Sequence, residues 1–185
     1  MILGLLERID PATKIISGEI SPKYQWTSYS NEINTAKYGR LYTWYAVTDD
    51  RNICPIGWHV LSYEKWITLT DYLKNNGYGY RGSKSAIAKS MASKLDWTIS
   101  SREGTPGNDK ASNNRSGFSG LPSGHRDQFG SFEYIIGSNG YWWCSSKLTT
   151  EENGIVWGLH YDVDWMDIFG FYKYGGFSVR CIINN

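Results

Sequence analysis

Two stretches in the C-terminal third of the chain alternate side-chain character with a period of two. Ile155, Trp157, Leu159, Tyr161 and Val163 alternate with Gly158, His160 and Asp162, and Phe177, Val179, Cys181 and Ile183 alternate with Ser178 and Arg180. Successive side chains of a strand point to opposite faces, so each stretch predicts a β-strand with one buried face. The same region is crowded with aromatic residues: Tyr141, Trp142, Trp143, Trp157, Tyr161, Trp165, Phe169, Phe171, Tyr172, Tyr174 and Phe177. A small domain cannot hold all of these in one core, so some are expected at the surface. Exposed Trp and Tyr bury much area for little lost rotamer entropy when a partner arrives. The pattern therefore predicts a recognition surface rather than a catalytic one.

With 185 residues the chain is the size of one domain, large enough to bury roughly 70% of its unfolded surface. A single domain over 1–185 is expected, with 1–37 as a less regular lead-in. Charged residues make up 20% and the formal net charge is +1, so no general field draws in nucleic acid or an anionic membrane. No apolar run approaches the ~20 residues of a membrane span, and membrane insertion is not expected. The opening MILGLLERIDPATK has neither a basic start nor a small-residue cleavage site, so it does not read as a signal peptide. Export to a cell surface or the extracellular space then needs a leader outside this sequence, or another route such as a virion. Cys54, Cys144 and Cys181 form no CxxC or CxxH spacing, which argues against zinc. One disulfide with one spare thiol, or three reduced thiols, both remain open.

Along the chain, residues 1–30 mix β-prone pieces (Lys14–Ile16, Tyr24–Trp26) with polar turns. The β-branched and aromatic run from Leu41 to Val47, bounded by Gly39 and by Asp49 and Asp50, predicts a strand. Ser62 then caps a helix with Glu64 in its first turn and Trp66, Leu69 and Leu73 at helical spacing, stopped by Asn76 and Gly77. A second helix follows the glycine-rich turn 77–82, with Ile87, Ala88, Met91, Ala92 and Leu95 as its apolar stripe. Residues 98–117 read as a long surface loop. Helices early and antiparallel strands late make an α+β domain.

Five blocks occur together: YGRLYTWYAV (38–47), CPIGWHVLSYEKWITL (54–69), SGFSGLPSGHRDQFGSFEYI (116–135), GYWWCSS (140–146) and GFSVRCI (176–182). In order and spacing they resemble the signature blocks of the Fibrobacter succinogenes major paralogous domain family. That resemblance implies a C-type-lectin-like fold, with two helices packed on a twisted antiparallel sheet and long irregular loops. It also implies, from the usual layout of that fold, a Cys54–Cys181 disulfide with Cys144 spare. The segment between the last two blocks further resembles the variable proteins of diversity-generating retroelements, which display mixed side chains inside constant framework. The outward positions expected to carry ligand contacts are Trp157, His160, Asp162, Asp164, Trp165, Asp167, Phe169, Phe171, Tyr172 and Tyr174. The aromatics would anchor a macromolecular ligand, a protein or glycan, and the acids would read its polar groups.

Framework positions have blander roles. Trp58, Trp66 and Trp143 are assigned to the core, and Arg126 and Arg180 to hydrogen bonds that pin loops. The strand around Val179 is expected in the central sheet with Phe177, Val179 and Cys181 inward. Calcium is not expected: Asp162, Asp164, Glu151, Glu152 and Asn153 could offer oxygens, but the Glu-Pro-Asn or Gln-Pro-Asp triplet of sugar-binding lectins is absent. Nor is catalysis. His59, His125 and His160 pair with no nucleophile at a recognisable spacing. Gly77–Gly82 resembles a phosphate cradle but follows a helix rather than a strand. The formylglycine-generating enzymes of this fold bind copper through two C-terminal cysteines; here that half holds only Cys144 and Cys181. The expectation is a non-catalytic module without cofactor, serving viral or prophage receptor binding. A bacterial surface or fimbrial adhesin domain is the alternative, and an oxidase of the formylglycine-generating type a distant third.

Overall fold

The computed structural model describes residues 25–133, 136–147 and 151–184. The elements run β1 (Gln25–Thr27), α1 (Glu32–Tyr38), β2 (Arg40–Tyr42), α2 (Trp44–Val47), β3 (Trp58–Val60), α3 (Tyr63–Asn75), α4 (Ala88–Met91), β4 (His125–Arg126), β5 (Phe132–Glu133), β6 (Asn139–Lys147), β7 (Asn153–His160), β8 (Asp167–Tyr172) and β9 (Cys181–Ile183). The chain is thus α+β, and every pairing of named strands is antiparallel. β6–β7–β8 form a three-stranded sheet; β1–β2, β3–β9 and β4–β5 are two-stranded. The β-prone Lys14–Ile16 lies outside the described residues.

α3 forms where its caps place it. The Ser62 hydroxyl accepts from the Lys65 backbone N–H, Glu64 sits in the first turn, and Trp66, Thr70 and Leu73 line the buried face. That face packs on one side of the β6–β7–β8 sheet. Trp66, Leu73, Ile87, Met91 and Trp97 join Trp142, Ile155, Trp157 and Leu159 in a first core. A second core on the opposite side gathers Trp44, Val60, Tyr141, Trp143, Val156 and Phe177. β7 therefore runs between two cores. Its alternation correctly marks Ile155, Trp157 and Leu159 as inward, but its other side is buried too. Gly154 and Gly158 make that possible. A Cβ at 154 would meet Trp44 Cδ1 at 2.5 Å and Trp143 Cζ3 at 2.9 Å, and one at 158 would meet the Tyr141 ring at 2.9 Å.

Several local expectations give way to tertiary context. The run 41–47 divides: only Arg40–Tyr42 is strand, and Trp44–Val47 turns into helix because the Thr43 side chain caps the Ala46 N–H at 3.3 Å. Trp44 is then fixed by its backbone N–H to Lys173 O and its indole N–H to Cys144 O, 3.2 Å. The second helix shrinks to the single turn Ala88–Met91, with Ile87 and Ala92 buried beside it and Leu95 exposed. α1, capped by Asn31, buries no residue and so has no apolar stripe to announce it. Trp66 and Trp143 are core, but Trp58 is 40% exposed, because it pairs with exposed Ile183 at the end of the β3–β9 ribbon. Phe177 is buried and Val179 and Cys181 pack on the second core. Their segment meets the central sheet only briefly: Ser178 bridges Trp142 of β6, through its N–H to Tyr141 O and its carbonyl to Trp143 N–H, Phe177 bridges Tyr42, and β9 then pairs with β3 instead.

The 98–117 loop is more than surface. Thr105 and Asn113 are buried, and the ammonium of Lys89 donates to the carbonyls of Asn108 and Asp109 and to Asn113 Oδ1. Arg180 donates to Phe118 O at 2.9 Å and covers its ring, and buried Arg126 lies 4.2 Å from the Trp26 ring centroid. Cys54 and Cys181 are disulfide-bonded, and Cys144 is a buried free thiol.

Candidate functional site

β8 pairs with β7 alone among the described strands, so it forms an edge of the sheet. Its side chains alternate cleanly: Asp167, Phe169 and Phe171 are half-buried, and Ile168, Gly170 and Tyr172 are exposed. The half-buried set faces the second core. Phe169 meets the Tyr141 ring edge-on at 5.6 Å, and Phe171 meets Phe177 at 4.9 Å and His125 at 5.4 Å. Phe169 and Phe171 thus pack under the sheet instead of displaying themselves to a ligand. Trp157 also leaves the expected set. It is 5% exposed and stacked on Trp66 at 5.4 Å, since its side of β7 is the one α3 covers.

At the start of β8 the structure brings four expected residues together. Trp165 donates its indole N–H to Asp167 Oδ1 at 2.6 Å, and His160 Nε2 lies 2.8 Å from Asp167 Oδ2. His160 does not point outward as expected. It shares the second-core side with Gly158 and sits half-buried, edge-on to Tyr141 at 5.5 Å and with Nδ1 2.8 Å from Asn139 Oδ1. Arg102, from the 98–117 loop, donates to Asp164 at 2.9 Å and lies over the Trp165 ring at 5.5 Å. Asp162 is exposed on the turn that leaves β7. The carboxylates of Asp164 and Asp167 are therefore already engaged by a guanidinium and an indole, with the His160 imidazole lying alongside.

Tyr172 and Tyr174 lie at the other end of β8, where Tyr174 meets Tyr45 at 5.3 Å. Tyr172 is five residue steps along the strand from Asp167, about 17 Å at ~3.3 Å per step. The expected residues therefore form two clusters at opposite ends of one strand, not one hot spot.

Between α3 and the exposed side of the sheet run two clefts. One, of about 470 Å³, is lined by Tyr63, Glu64, Ser146, Lys147, Ile155, Ile168, Phe169 and Gly170. The other, of about 190 Å³, lies among Thr70, Lys74, Ser85, Ile87, Trp157, Trp165 and Met166. Glu64 and Thr70 mark them on the helix, about 9 Å apart at ~1.5 Å per residue. Tyr63, Lys74, Arg102, Lys147 and Ile168 were not legible as site residues. Ile168 could have been found from strand parity, had the bounds of β8 been known.

The cysteine pair an oxidase of the formylglycine-generating type would need is not assembled: Cys181 is bonded to Cys54, and Cys144 is fully buried with its thiol pushed upward in pKa by desolvation. Among the described residues no helix is long and apolar enough to cross a membrane.

The architecture defines a class: an α+β domain whose aromatic edge strand borders a helix-lined groove. The chain belongs to the Fibrobacter succinogenes major domain family, whose model matches residues 10–182. No curated protein and no solved structure gives a significant match to it.

Proposed function

We propose that the protein is a non-catalytic recognition module of C-type-lectin-like architecture that binds a protein or glycan of a cell surface. Contact would come through the exposed side of β8, its flanking turns and the groove beside α3. One observation carries this reading. Large apolar side chains are exposed on β8, in the turns at its two ends and on the helix next to it: Trp165 (43% exposed), Ile168 (46%), Tyr172 (44%), Tyr174 (42%) and Tyr63 (38%). Apolar groups clustered this way, with polar neighbours such as Arg102, Asp164, Glu64 and Lys147, mark interaction surfaces. The Cys54–Cys181 disulfide supports a working place outside the reducing cytosol, at a cell surface or on a virion.

The test applies fluorescently labelled protein to a glycan array and to intact bacterial cells. Saturable binding is expected, weakened at least about tenfold by Trp165→Ala and by Tyr172→Ala, with melting temperature unchanged. Binding to nothing in either format, or binding indifferent to both substitutions, would refute the reading. A near-identical template repeat and a reverse transcriptase gene beside the coding sequence are expected if the surface is retroelement-diversified. A lipoprotein or secretion leader is expected if the domain is an adhesin.

A further inference from the structure

We propose that the protein self-associates through the open edge of β8, as a two-fold dimer in which β8 pairs antiparallel with β8 of a second copy and the two Gly170 residues face each other on the axis. An edge strand offers a row of unpaired N–H and C=O groups to any strand that can reach it. Folded proteins usually guard such edges with a charge, a proline or a bulge. β8 carries none of these between Ile168 and Tyr172, where the sequence is Ile-Phe-Gly-Phe-Tyr. Its pairing with β7 runs without a register shift from Asp167 to Tyr172, so the strand is straight enough to serve as a template.

The chemistry of the strand selects both the occupant and the register. In a continuous antiparallel sheet, directly opposed residues lie on the same face. With the axis at Gly170, Ile168 opposes Tyr172 of the second copy, Phe169 opposes Phe171, and Asp167 opposes Lys173. The two exposed apolar side chains of the outer face, Ile168 and Tyr172, then pack side by side twice across the seam, on one open face of the joined sheet. Opposite charges meet at both ends of the pairing, also twice, as two-fold symmetry requires. Asp167 keeps 37% of its side chain accessible. The Lys173 backbone extends the β7 ladder through its N–H to Glu152 O at 3.0 Å. Its ammonium donates to the exposed Glu151 carbonyl and lies 4.5 Å from the Trp44 ring centroid, and Trp44 belongs to the second core, the side Asp167 also faces. Gly170 has no side chain to hold the strands apart on the axis.

Shifting the axis by one residue loses these matches. At Phe169 it sets Asp167 against Phe171 and Ile168 against glycine. At Phe171 it sets Lys173 against Phe169 and Tyr172 against glycine. A second copy therefore fits this edge in one register better than in either neighbour.

Sedimentation velocity and light scattering on the full chain across a wide concentration range test the proposal. The measured mass should rise from 21.1 kDa toward twice that value with concentration. Ile168→Lys, which puts a charge on an exposed position of the edge, should leave a folded monomer. Asp167→Lys and Lys173→Asp should each weaken the dimer at least about tenfold by placing like charges opposite each other, and the doubly exchanged variant should regain it. A variant that merely unfolds cannot produce that regain. A wild type that stays monomeric throughout overturns the proposal, whether residues 1–24, a foreign chain or solvent occupies the edge. So does a dimer that survives Ile168→Lys, or a folded double exchange that remains monomeric.

Discussion

His125 is 3% exposed and lies flat against Phe177, ring centroids 5.0 Å apart, with Tyr141 and Phe171 edge-on to it. Burial drives its pKa from 6.5 down to about 4, a shift the nearby Asp127 charge only partly offsets. The folded state thus favours the neutral ring, while the unfolded chain protonates near 6.5. Stability is fully present above that value and declines as pH falls through the window from about 6.5 to about 4. The full loss is roughly 3 kcal/mol. Denaturant unfolding at a series of pH values should show that decline in the wild type and its absence in His125→Phe, which keeps the stacked ring. Lys89, buried at the foot of the 98–117 loop, is a second residue that works by position. Its ammonium serves the Asn108, Asp109 and Asn113 oxygens, and Asn113 in turn donates to Ser93 O and Pro106 O at 2.9 Å each. Lys89→Met leaves the buried Asn113 Oδ1 without this donor and strips the more accessible Asn108 and Asp109 carbonyls of their cation, and should cost about 1–3 kcal/mol in chemical denaturation.

At the scale of elements, β8 separates stability from display by parity. Phe171 packs on Phe177 and His125, so Phe171→Ala should cost about 2–3 kcal/mol, below the range for a fully buried Phe because the ring is half-exposed. Trp165→Ala, on the exposed turn before the strand, should change stability by less than about 1 kcal/mol. Parallel thermal melts of the two variants check the contrast, and equal losses would contradict the assignment of faces. β7 offers a sharper test of packing. Gly154→Ala forces a methyl group to within 2.5 Å of Trp44 and 2.9 Å of Trp143. It should destabilise by about 1–3 kcal/mol, although alanine is otherwise a mild replacement in a strand.

Across the whole molecule, the Cys54–Cys181 bond spans 127 positions and ties the segment before β3 to the start of β9. A loop of that length restricts the unfolded chain strongly, so reduction, or Cys54→Ser with Cys181→Ser, should lower stability by about 5 kcal/mol in the chain-entropy account. Cys144 is free but buried. A thiol reagent should therefore modify nothing in the folded, unreduced protein and one cysteine after denaturation.

What the amino-acid sequence settled unaided was local. α3 begins where Ser62 can cap it and ends at Asn76, because a hydroxyl acceptor and a helical stripe of Trp66, Leu69 and Leu73 act within a few residues of one another. The period-two run of β7 likewise identified Ile155, Trp157 and Leu159 as inward. The blocks that resemble the family placed Cys54 with Cys181, a pairing that spacing alone left open. The tertiary structure decided what covers each face. Residues 44–47 have strand-like composition, yet the Thr43 cap and the fixed Trp44 make them helix. Trp157 became core because α3 lies over its side of β7, and Trp58 stayed exposed because its ribbon ends in solvent. The Asp167–Tyr172 segment is apolar at neighbouring positions, so no periodicity in it could tell Phe171 from Ile168. That distinction came from pairing with β7 and from His125, Tyr141 and Phe177, which arrive from other parts of the chain to cover only one of the two faces. Caps and periodicity are written in adjacent residues; burial is decided by which distant segment arrives to exclude water.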